Sequence, residues 1–183
     1  MQKSLNKRIF GFIGSREPSK VQLDLAMFEI SNLDPEIDVI VSGCAEGIDA
    51  AALKFAYERG FYTFGVVPWA KYELETQKIC SKVIVLDQLP AEDQKLALDS
   101  VKRLHPGYAR LTQGMVKLHA RNFIIVRNCA QVFAYPGHKR GMGGTGQGIR
   151  ICLEQNIALR VFNCVGDELS HESIKLLAGG NND

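Results

Sequence analysis

Short apolar runs alternate along the chain with segments whose apolar residues recur at helical spacing. The apolar runs predict strands over residues 8–13, 38–41, 61–67, 82–86, 131–135 and 158–162. Strands that alternate with helices favour an α/β fold, in which helices cover both faces of a mostly parallel sheet. The pattern leaves the order of the strands in that sheet open.

The segments between these strands carry the spacing of helices. The first has Val21, Leu25 and Phe28 at helical intervals, and the second ends at Gly60, a residue type favoured just past a helix. Two more helices are predicted over residues 91–104 and 145–155. Helices therefore follow most of the predicted strands.

One segment supports two interpretations. Leu111, Met115 and Leu118 repeat as they would on a helix, but residues 123–126, Phe-Ile-Ile-Val, have the composition of a strand. Propensity alone leaves this stretch undecided.

The composition is that of an ordinary globular protein. The chain has 183 residues, of which 46% are hydrophobic and 23% charged. We expect one domain over residues 1–178, followed by a frayed tail over residues 179–183. The net charge of +2 creates no field that would attract a polyanion, so nucleic acid could bind only through a local basic patch.

Targeting signals and paired cysteines are missing from the sequence. Its apolar runs are far shorter than the ~20 residues of a membrane helix, and the N-terminus lacks the apolar core of a signal peptide. We therefore expect a cytoplasmic protein without a membrane partner. The five cysteines form no C-x-x-C pair, which predicts reduced thiols, no metal and no disulfide framework.

Three predicted strands end in loops of small residues. These loops are Gly14-Ser15-Arg16, residues 42–47 (Ser-Gly-Cys-Ala-Glu-Gly) and residues 141–146 (Gly-Met-Gly-Gly-Thr-Gly). Loops at the carboxyl ends of parallel strands form a ligand crevice, and glycine lets backbone N–H groups approach an anion at a helix N-terminus. The loops therefore predict a phosphate site, with positive charge from Arg16 or Arg121. No Walker motif or dinucleotide fingerprint is present.

The motifs also occur in a recognisable order. They are Gly14-Ser15-Arg16, residues 42–49, Pro68-Trp69, Arg121-Asn122 and residues 143–147. The set resembles the Rossmann-like SLOG superfamily, which unites DNA-processing protein A with the "lonely guy" phosphoribohydrolases, and it is most similar to small stand-alone phage-type members. The resemblance implies a single Rossmann-like domain. It also implies that residues 123–126 are helical, because the Arg-Asn pair lies on a helix in that superfamily.

The resemblance implies a pocket for a nucleotide-derived molecule, with its phosphate on residues 143–145 and Arg121 beside it. No further cofactor is implied. The predicted ligand-binding residues are Gly14, Ser15, Arg16, Ser42, Gly43, Glu46, Asp49, Trp69, Arg121, Asn122, Gly143, Gly144, Thr145, Gly146 and Gln147.

Several of these residues also have a purely structural interpretation. Arg16 and Arg121 could form ion pairs instead of binding phosphate, and Thr145 could simply cap a helix. Asp49 could hold a ribose hydroxyl or complement a helix dipole. Trp69 could stack on a base or pack in the core.

The catalytic glutamate of the phosphoribohydrolases has no counterpart. Gly148 stands at the matching position, Gln147 is the nearest polar residue, and neither is a carboxylate. Glu46 is the remaining candidate for acid–base chemistry, and no other catalytic residue is assigned. The sequence therefore favours a protein that holds its ligand over an enzyme.

The predicted function is to bind, and to sequester or sense, a nucleotide-derived small molecule such as an immune-type nucleotide signal. One alternative is a hydrolase of N-glycosidic bonds. The other is a recombination mediator that binds single-stranded DNA, which the balanced charge and Glu46, where the resemblance implies an arginine, disfavour. Apolar residues near Arg121 and the resemblance together predict a homodimer or higher homo-oligomer.

Overall fold

A single parallel sheet organises the chain in the computed structural model, which describes residues 7–137 and 143–179. Its strands are β1 (Arg8–Gly14), β2 (Asp38–Ser42), β3 (Tyr62–Val67), β4 (Lys82–Val85), β5 (Gln131–Tyr135) and β6 (Ala158–Val161). They lie in the order β4-β3-β2-β1-β5-β6, and every neighbouring pair is parallel.

Helices connect the strands and cover both faces of the sheet. They are α1 (Lys20–Ser31), α2 (Ile48–Glu58), α3 (Leu74–Gln77), α4 (Ala91–Leu104), α5 (Gln113–Val126), α6 (Gly143–Glu154) and α7 (His171–Gly179). Helices α1 and α2 pack over one face, and α4 to α7 pack over the other. The predicted α/β, Rossmann-like architecture is confirmed.

The strand order places a switch point between β1 and β5. From β1 the chain proceeds outward through β2, β3 and β4, and it then crosses back to β5 on the other side of β1. In such sheets the loops on either side of the switch diverge at the carboxyl ends of the strands and leave a crevice between them. The fold therefore positions a ligand site where β1 and β5 end.

Polar contacts at the edges of the core fix how the elements meet. Arg8 donates two hydrogen bonds to Asp38, at 2.8 and 2.9 Å, and so joins β1 to β2 at their amino ends. Gln22 is fully buried on α1, where its amide donates to the carbonyls of Pro136 and Phe162. These bonds tie α1 to the segments that follow β5 and β6.

Helix α5 resolves the ambiguous segment. It runs without a break to Val126, so residues 123–126 are helical, as the family resemblance implies. The four residues are buried in the core between α5 and its neighbours. Burial of their side chains therefore outweighs their intrinsic preference for strands.

Helix α1 has the predicted position but not the buried face that its apolar residues suggest. Val21 and Phe28 are 45% and 60% exposed, whereas Ala26 and Ile30 are buried against the sheet. The helix begins with a capping box, in which the side chains of Ser19 and Gln22 each accept a hydrogen bond from the other residue's backbone N–H.

Two helices lie where the sequence predicts none. One is the short α3, and the other is α7, which buries Ile174 and Ala178 in the core. Helix α7 ends at Gly179, the first residue of the predicted tail, and residues 180–183 lie outside the described part of the chain. The domain boundary at residue 178 stays a prediction.

Candidate functional site

A crevice of about 460 Å³ lies at the carboxyl ends of β1 and β5. Three loops and one face of α5 form its walls. The lining residues are Ile13, Gly14, Ser15, Arg16, Glu17, Ala45, Asp49, Met115, Leu118, His119, Arg121, Asn122, Gly137, Gly143, Gly144 and Thr145. Nine residues of the sequence prediction are among them: Gly14, Ser15, Arg16, Asp49, Arg121, Asn122, Gly143, Gly144 and Thr145.

The loop after β1 is held between its two neighbours by backbone hydrogen bonds. The Ser15 N–H donates to the Tyr135 carbonyl at 2.9 Å, and the Ser15 carbonyl accepts from the Ile48 N–H at 3.1 Å. This loop is thereby fixed both to β5 and to the start of α2.

Two glycines in these loops serve close packing. A Cβ at Gly14 would lie 2.5 Å from Ile48, and one at Gly47, where φ is +84°, would lie 2.2 Å from the Ser15 carbonyl oxygen. Both distances are shorter than side chains tolerate, so only glycine fits. These glycines let α2 approach the loop after β1, a role distinct from the anion contact for which the sequence suggested them.

The floor of the crevice is an ion pair between Asp49 of α2 and Arg121 of α5. Both residues are buried, and Arg121 Nη2 lies 3.6 Å from Asp49 Oδ2. The Asp49 carboxylate also accepts a hydrogen bond from the Gly14 N–H at 3.2 Å. Asp49 therefore joins the loop after β1 to α5.

The pKa of Asp49 reflects two opposing effects. Burial raises the pKa to about 6, while the charge of Arg121 and hydrogen bonds from the backbone N–H groups of Gly14, Gly43 and Ala45 oppose that rise. At neutral pH the carboxylate is therefore ionised and paired with Arg121.

Arg121 directs most of its contacts at the protein. Its Nη1 donates to the Gly43 carbonyl, with a longer contact of 3.4 Å to the Val66 carbonyl, and its guanidinium lies 5.1 Å from the centre of the Tyr72 ring. Its Nε has no hydrogen-bond partner in the described part of the chain. In this arrangement Arg121 closes the crevice from below and does not present a bidentate fork to a phosphate.

The rim of the crevice carries the exposed cation. Arg16 extends from the loop after β1, and one of its N–H groups donates to the Tyr72 hydroxyl at 3.1 Å. Tyr72 is its one hydrogen-bond partner among the described residues. The remaining N–H groups of Arg16 are available to an anion that enters the crevice.

The first turn of α6 faces the same opening. Gly143 and Gly144 are exposed there, and Thr145 is buried. Asn122 of α5 donates from Nδ2 to the Gly144 carbonyl at 2.8 Å, which fixes the start of α6 beside the Asp49–Arg121 pair. The N–H groups of a first helical turn lack partners within the helix and so favour an anion. Residues 141 and 142 of the predicted loop lie outside the described residues.

His119 is a lining residue to which the sequence assigned no function. Its ring lies 4.5 Å from that of His105, and its buried Nδ1 has no partner in the described residues. Burial lowers the pKa of His119 to about 4, and the nearby charges of His105, Arg150 and Arg121 act in the same direction. The imidazole is therefore neutral at neutral pH.

Six predicted residues are not among those that line the crevice: Ser42, Gly43, Glu46, Trp69, Gly146 and Gln147. The Ser42 hydroxyl donates to the Phe12 carbonyl between two strands, and Trp69 packs edge-on against Tyr72. Gln147 is fully buried, with Nε2 3.4 Å from the Ser100 carbonyl. These three side chains make structural contacts.

Glu46, the carboxylate that the sequence suggested for acid–base chemistry, is not one of the carboxylates at the crevice. Glu46 is exposed and lies outside the lining, whereas Glu17 at the rim and Asp49 at the floor belong to it. At Gly148 a Cβ would lie 2.4 Å from Ile13 Cδ1, because α6 packs closely against β1 there. The structure thus offers Glu17, which directly follows the Gly14-Ser15-Arg16 motif, as a carboxylate that sequence reasoning missed.

Tyr72 is a second residue that sequence reasoning missed. It is buried and contacts both arginines, through its hydroxyl for Arg16 and its ring for Arg121. Its proximity to Pro68-Trp69 was the available signal, since that motif already marks the end of β3.

No helix in the described residues has the length and apolar character needed to cross a membrane.

Solved structures show the same fold. The chain is similar to DNA processing protein A from Streptococcus pneumoniae, with 23% identity and a TM-score of 0.55 over 96% of this chain and 56% of that protein. It is also similar to DNA processing protein A from Helicobacter pylori, whose structure concerns that protein's single-stranded DNA binding mode, with 18% identity and a TM-score of 0.63. That match covers 97% of this chain and 75% of the relative.

The chain thus spans little more than half the length of the pneumococcal protein. No curated protein matches it. A family model, DNA recombination-mediator protein A, matches residues 2–94, which is half of the chain, and this match confirms the resemblance seen in the sequence motifs. The chain belongs to the DNA recombination-mediator protein A family.

Proposed function

We propose that the crevice binds one nucleotide unit through its phosphate. The observation that carries the proposal is that Arg16 and the first turn of α6 face one opening, above a floor whose charges are already paired. An anion that enters would meet the Arg16 guanidinium on one side and the N–H groups near Gly144 on the other. Asp49 would not repel it strongly, because Arg121 compensates its charge.

These contacts alone give modest affinity. A charged group at a helix terminus is worth about 0.3–1 kcal/mol, and a charge-assisted hydrogen bond about 1.5–3 kcal/mol. Tight binding therefore requires further contacts, which a base or neighbouring nucleotides would supply along the apolar wall formed by Met115 and Leu118.

We infer that single-stranded DNA is the source of this nucleotide. Family membership supports this ligand, as does the single-stranded DNA binding described for the Helicobacter relative. A strand could place one nucleotide in the crevice and add phosphate contacts outside it, which would compensate for the small net charge of +2.

A free nucleotide-derived molecule, held for sensing or sequestration, is the second candidate. The observation that favours it is the size of the crevice, because about 460 Å³ lies within the range of small-molecule pockets, roughly 300–1,000 Å³. We propose that either ligand is held without cleavage. Of the two lining carboxylates, Asp49 is paired with Arg121 and accepts a backbone hydrogen bond, and Glu17 is exposed at the rim.

Binding measurements on one pair of variants test this function. Fluorescence anisotropy with a labelled oligothymidine and calorimetry with nucleoside monophosphates are applied to Arg16→Ala and Arg59→Ala. Arg59 follows α2 at the opposite end of the sheet, where its guanidinium lies over the Phe55 ring, so its loss is a matched charge control. We expect only Arg16→Ala to weaken binding.

The two ligands give different results in this experiment. Binding of the oligonucleotide with a strong salt dependence, and no binding of monophosphates, supports single-stranded DNA. Binding of a monophosphate that is recovered unaltered supports sensing or sequestration, and released base would show cleavage. Equal affinities of Arg16→Ala and Arg59→Ala would place the site elsewhere.

Assembly stays a prediction. Of the three residues on which it was based, Leu111 and Leu118 pack against the core, and Met115 is 44% exposed at the crevice. We propose a homodimer whose interface borders the crevice at Met115. Light scattering across micromolar concentrations would contradict this proposal if it returned the 20.3 kDa monomer throughout.

A further inference from the structure

Two cysteines that are distant in sequence meet beside the crevice. Cys44 lies in the loop between β2 and α2, and Cys80 lies between α3 and β4. Their Sγ atoms are 3.9 Å apart. Cys44 is fully buried, whereas Cys80 is partly exposed. Cys80 is therefore the more exposed residue of the pair.

The backbone around the pair is shaped to accommodate two sulfur atoms. A Cβ at Gly65 of β3 would lie 2.5 Å from the sulfur of Cys44 and 2.7 Å from that of Cys80, so both sulfurs occupy space that only glycine leaves. Cys44 itself has a φ of +62°, a conformation uncommon for residues other than glycine and asparagine. Such conformations occur often at functional sites.

We propose that Cys44 and Cys80 are an oxidisable dithiol, which a peroxide converts into a disulfide. A disulfide has a sulfur–sulfur distance of about 2.05 Å, so the two side chains must approach by roughly 2 Å. Rotation of the partly exposed Cys80 side chain, together with a small shift of its loop, would supply most of that movement.

The chemistry begins at Cys80. The Cys80 thiolate attacks one oxygen of hydrogen peroxide and forms a sulfenic acid, and the other oxygen leaves as hydroxide, which takes up a proton to become water. The Cys44 sulfur then attacks the Cys80 sulfur and displaces a second water, which carries away the thiol proton of Cys44. In total, two thiols are oxidised and one peroxide is reduced to two waters.

The surroundings of the two thiols support this order of events. The hydrogen bond between the sulfurs lowers the pKa of Cys80, although partial burial opposes that effect. The same hydrogen bond, together with burial, raises the pKa of Cys44. Cys80 is therefore both the more accessible thiol and the one that more readily becomes a thiolate.

The disulfide would act on the wall of the crevice. Cys44 lies between Gly43, whose carbonyl accepts a hydrogen bond from Arg121, and Ala45, which lines the crevice. A bond from Cys44 to Cys80 would fix this loop to the segment that follows α3. Oxidation would therefore make the wall more rigid, and we expect it to raise Tm.

Peptide mapping of the full chain tests the proposal. Protein treated with hydrogen peroxide is alkylated, digested without reductant and analysed by mass spectrometry. We expect one bridged peptide that joins Cys44 to Cys80, the loss of two free thiols, and recovery of both thiols with dithiothreitol. Cys164→Ser is the matched control, because Cys164 is another partly buried thiol, and it donates to the Pro136 carbonyl. This variant should still form the bridge.

Two further variants keep the result interpretable. Cys80→Ser and Cys44→Ala should each abolish the bridge, and circular dichroism checks that each variant is folded. Folded wild-type protein whose Cys80 is oxidised only to sulfenic or sulfinic acid, or whose bridge joins other cysteines, would overturn the proposal. The mapping uses no nucleotide, so its outcome is independent of the proposed function.

Discussion

The floor and the rim of the crevice each contain an arginine, and the two arginines differ in almost every physical respect. Arg121 at the floor is buried, paired with Asp49 and bonded to backbone carbonyls. Arg16 at the rim is exposed and makes one hydrogen bond, to the Tyr72 hydroxyl, among the described residues. The sequence suggested the same phosphate-binding role for both.

The difference shows that burial decides what an arginine near glycine-rich loops can do. A buried guanidinium must satisfy its donors within the protein, because an unpaired buried charge is costly. An exposed guanidinium keeps its donors for a ligand at little cost. We therefore propose that the floor serves stability and the rim serves binding, and Tyr72 contacts both arginines.

The largest expected effect is the loss of stability when the arginine at the floor is removed. Arg121→Ala leaves Asp49 buried without its counter-ion, so the free energy of unfolding should fall by about 3–5 kcal/mol. Urea denaturation followed by circular dichroism measures this loss, with Arg59→Ala as the exposed control. A loss below about 1 kcal/mol, the size typical of a surface ion pair, would contradict the assignment.

The next largest effect is the loss of binding affinity when the arginine at the rim is removed. Arg16→Ala should weaken nucleotide or oligonucleotide binding by about 1.5–3 kcal/mol, which is roughly 10- to 150-fold, and leave the free energy of unfolding nearly unchanged. Arg16→Lys should retain part of the affinity, because it keeps the charge but loses the planar fork. Anisotropy measures the affinity. Equal losses in Arg16→Ala and Arg16→Lys would show that planar geometry, and not charge, is decisive.

A smaller effect is expected at the start of α6. A Cβ at Gly144 would lie 3.7 Å from Asn122 Nδ2, an ordinary contact, so the fold should accommodate Gly144→Asp. Its carboxylate would occupy the position of the phosphate and repel it, which should reduce affinity by about 1 kcal/mol or more. Gly144→Asn is the uncharged control of similar size. Unchanged affinity in calorimetry would place the phosphate away from α6.

The smallest expected effects concern how stability depends on pH. Asp49 at the floor and His119 should change stability in opposite directions as the pH falls. The pKa of His119 is lowered from 6.5 to about 4, so the unfolded chain takes up this proton first as the pH falls. His119 therefore reduces stability between about pH 6.5 and pH 4. The pKa of Asp49 is raised from 3.8 to about 6, so the folded chain takes up that proton first, and stability rises over nearly the same range.

Two variants separate these contributions. In His119→Gln, Asp49 is the one of these two groups that still titrates, so the Tm of this variant should fall less on acidification than that of the wild type. Asp49→Asn leaves His119, so its Tm should fall more. Calorimetric scans between about pH 7 and pH 4 measure both slopes. Parallel slopes in the two variants would mean that neither group titrates as its environment implies.

Periodicity predicted much of the fold. The six strands begin and end within one residue of their predicted bounds, and α4 has the predicted bounds. These elements depend on local alternation and on turn residues such as Gly60, which has a φ of +81° just past α2. Helix α7 was missed because its few buried residues, Ile174 and Ala178, make a weak pattern.

Local pattern was less informative about the side chains at the site. The loops after β1, β2 and β5 were predicted to meet, since the carboxyl ends of parallel strands share one edge. Which side chains face the resulting crevice depends on packing, so Glu17 and His119 were missed, while Glu46 was placed there by sequence alone. Tyr72, which contacts both arginines, was missed for the same reason.

The sequence by itself determined the alternation of strands and helices, the family and the positions of the glycine-rich loops, because these depend on neighbouring residues and ordered motifs. Only the tertiary structure decided that Arg121 pairs with Asp49, that Arg16 remains exposed and that Cys44 lies beside Cys80. The Asp49–Arg121 pair and the Cys44–Cys80 pair each join residues that are 36 or more positions apart in the chain. Such contacts depend on how distant segments pack, which local sequence does not encode.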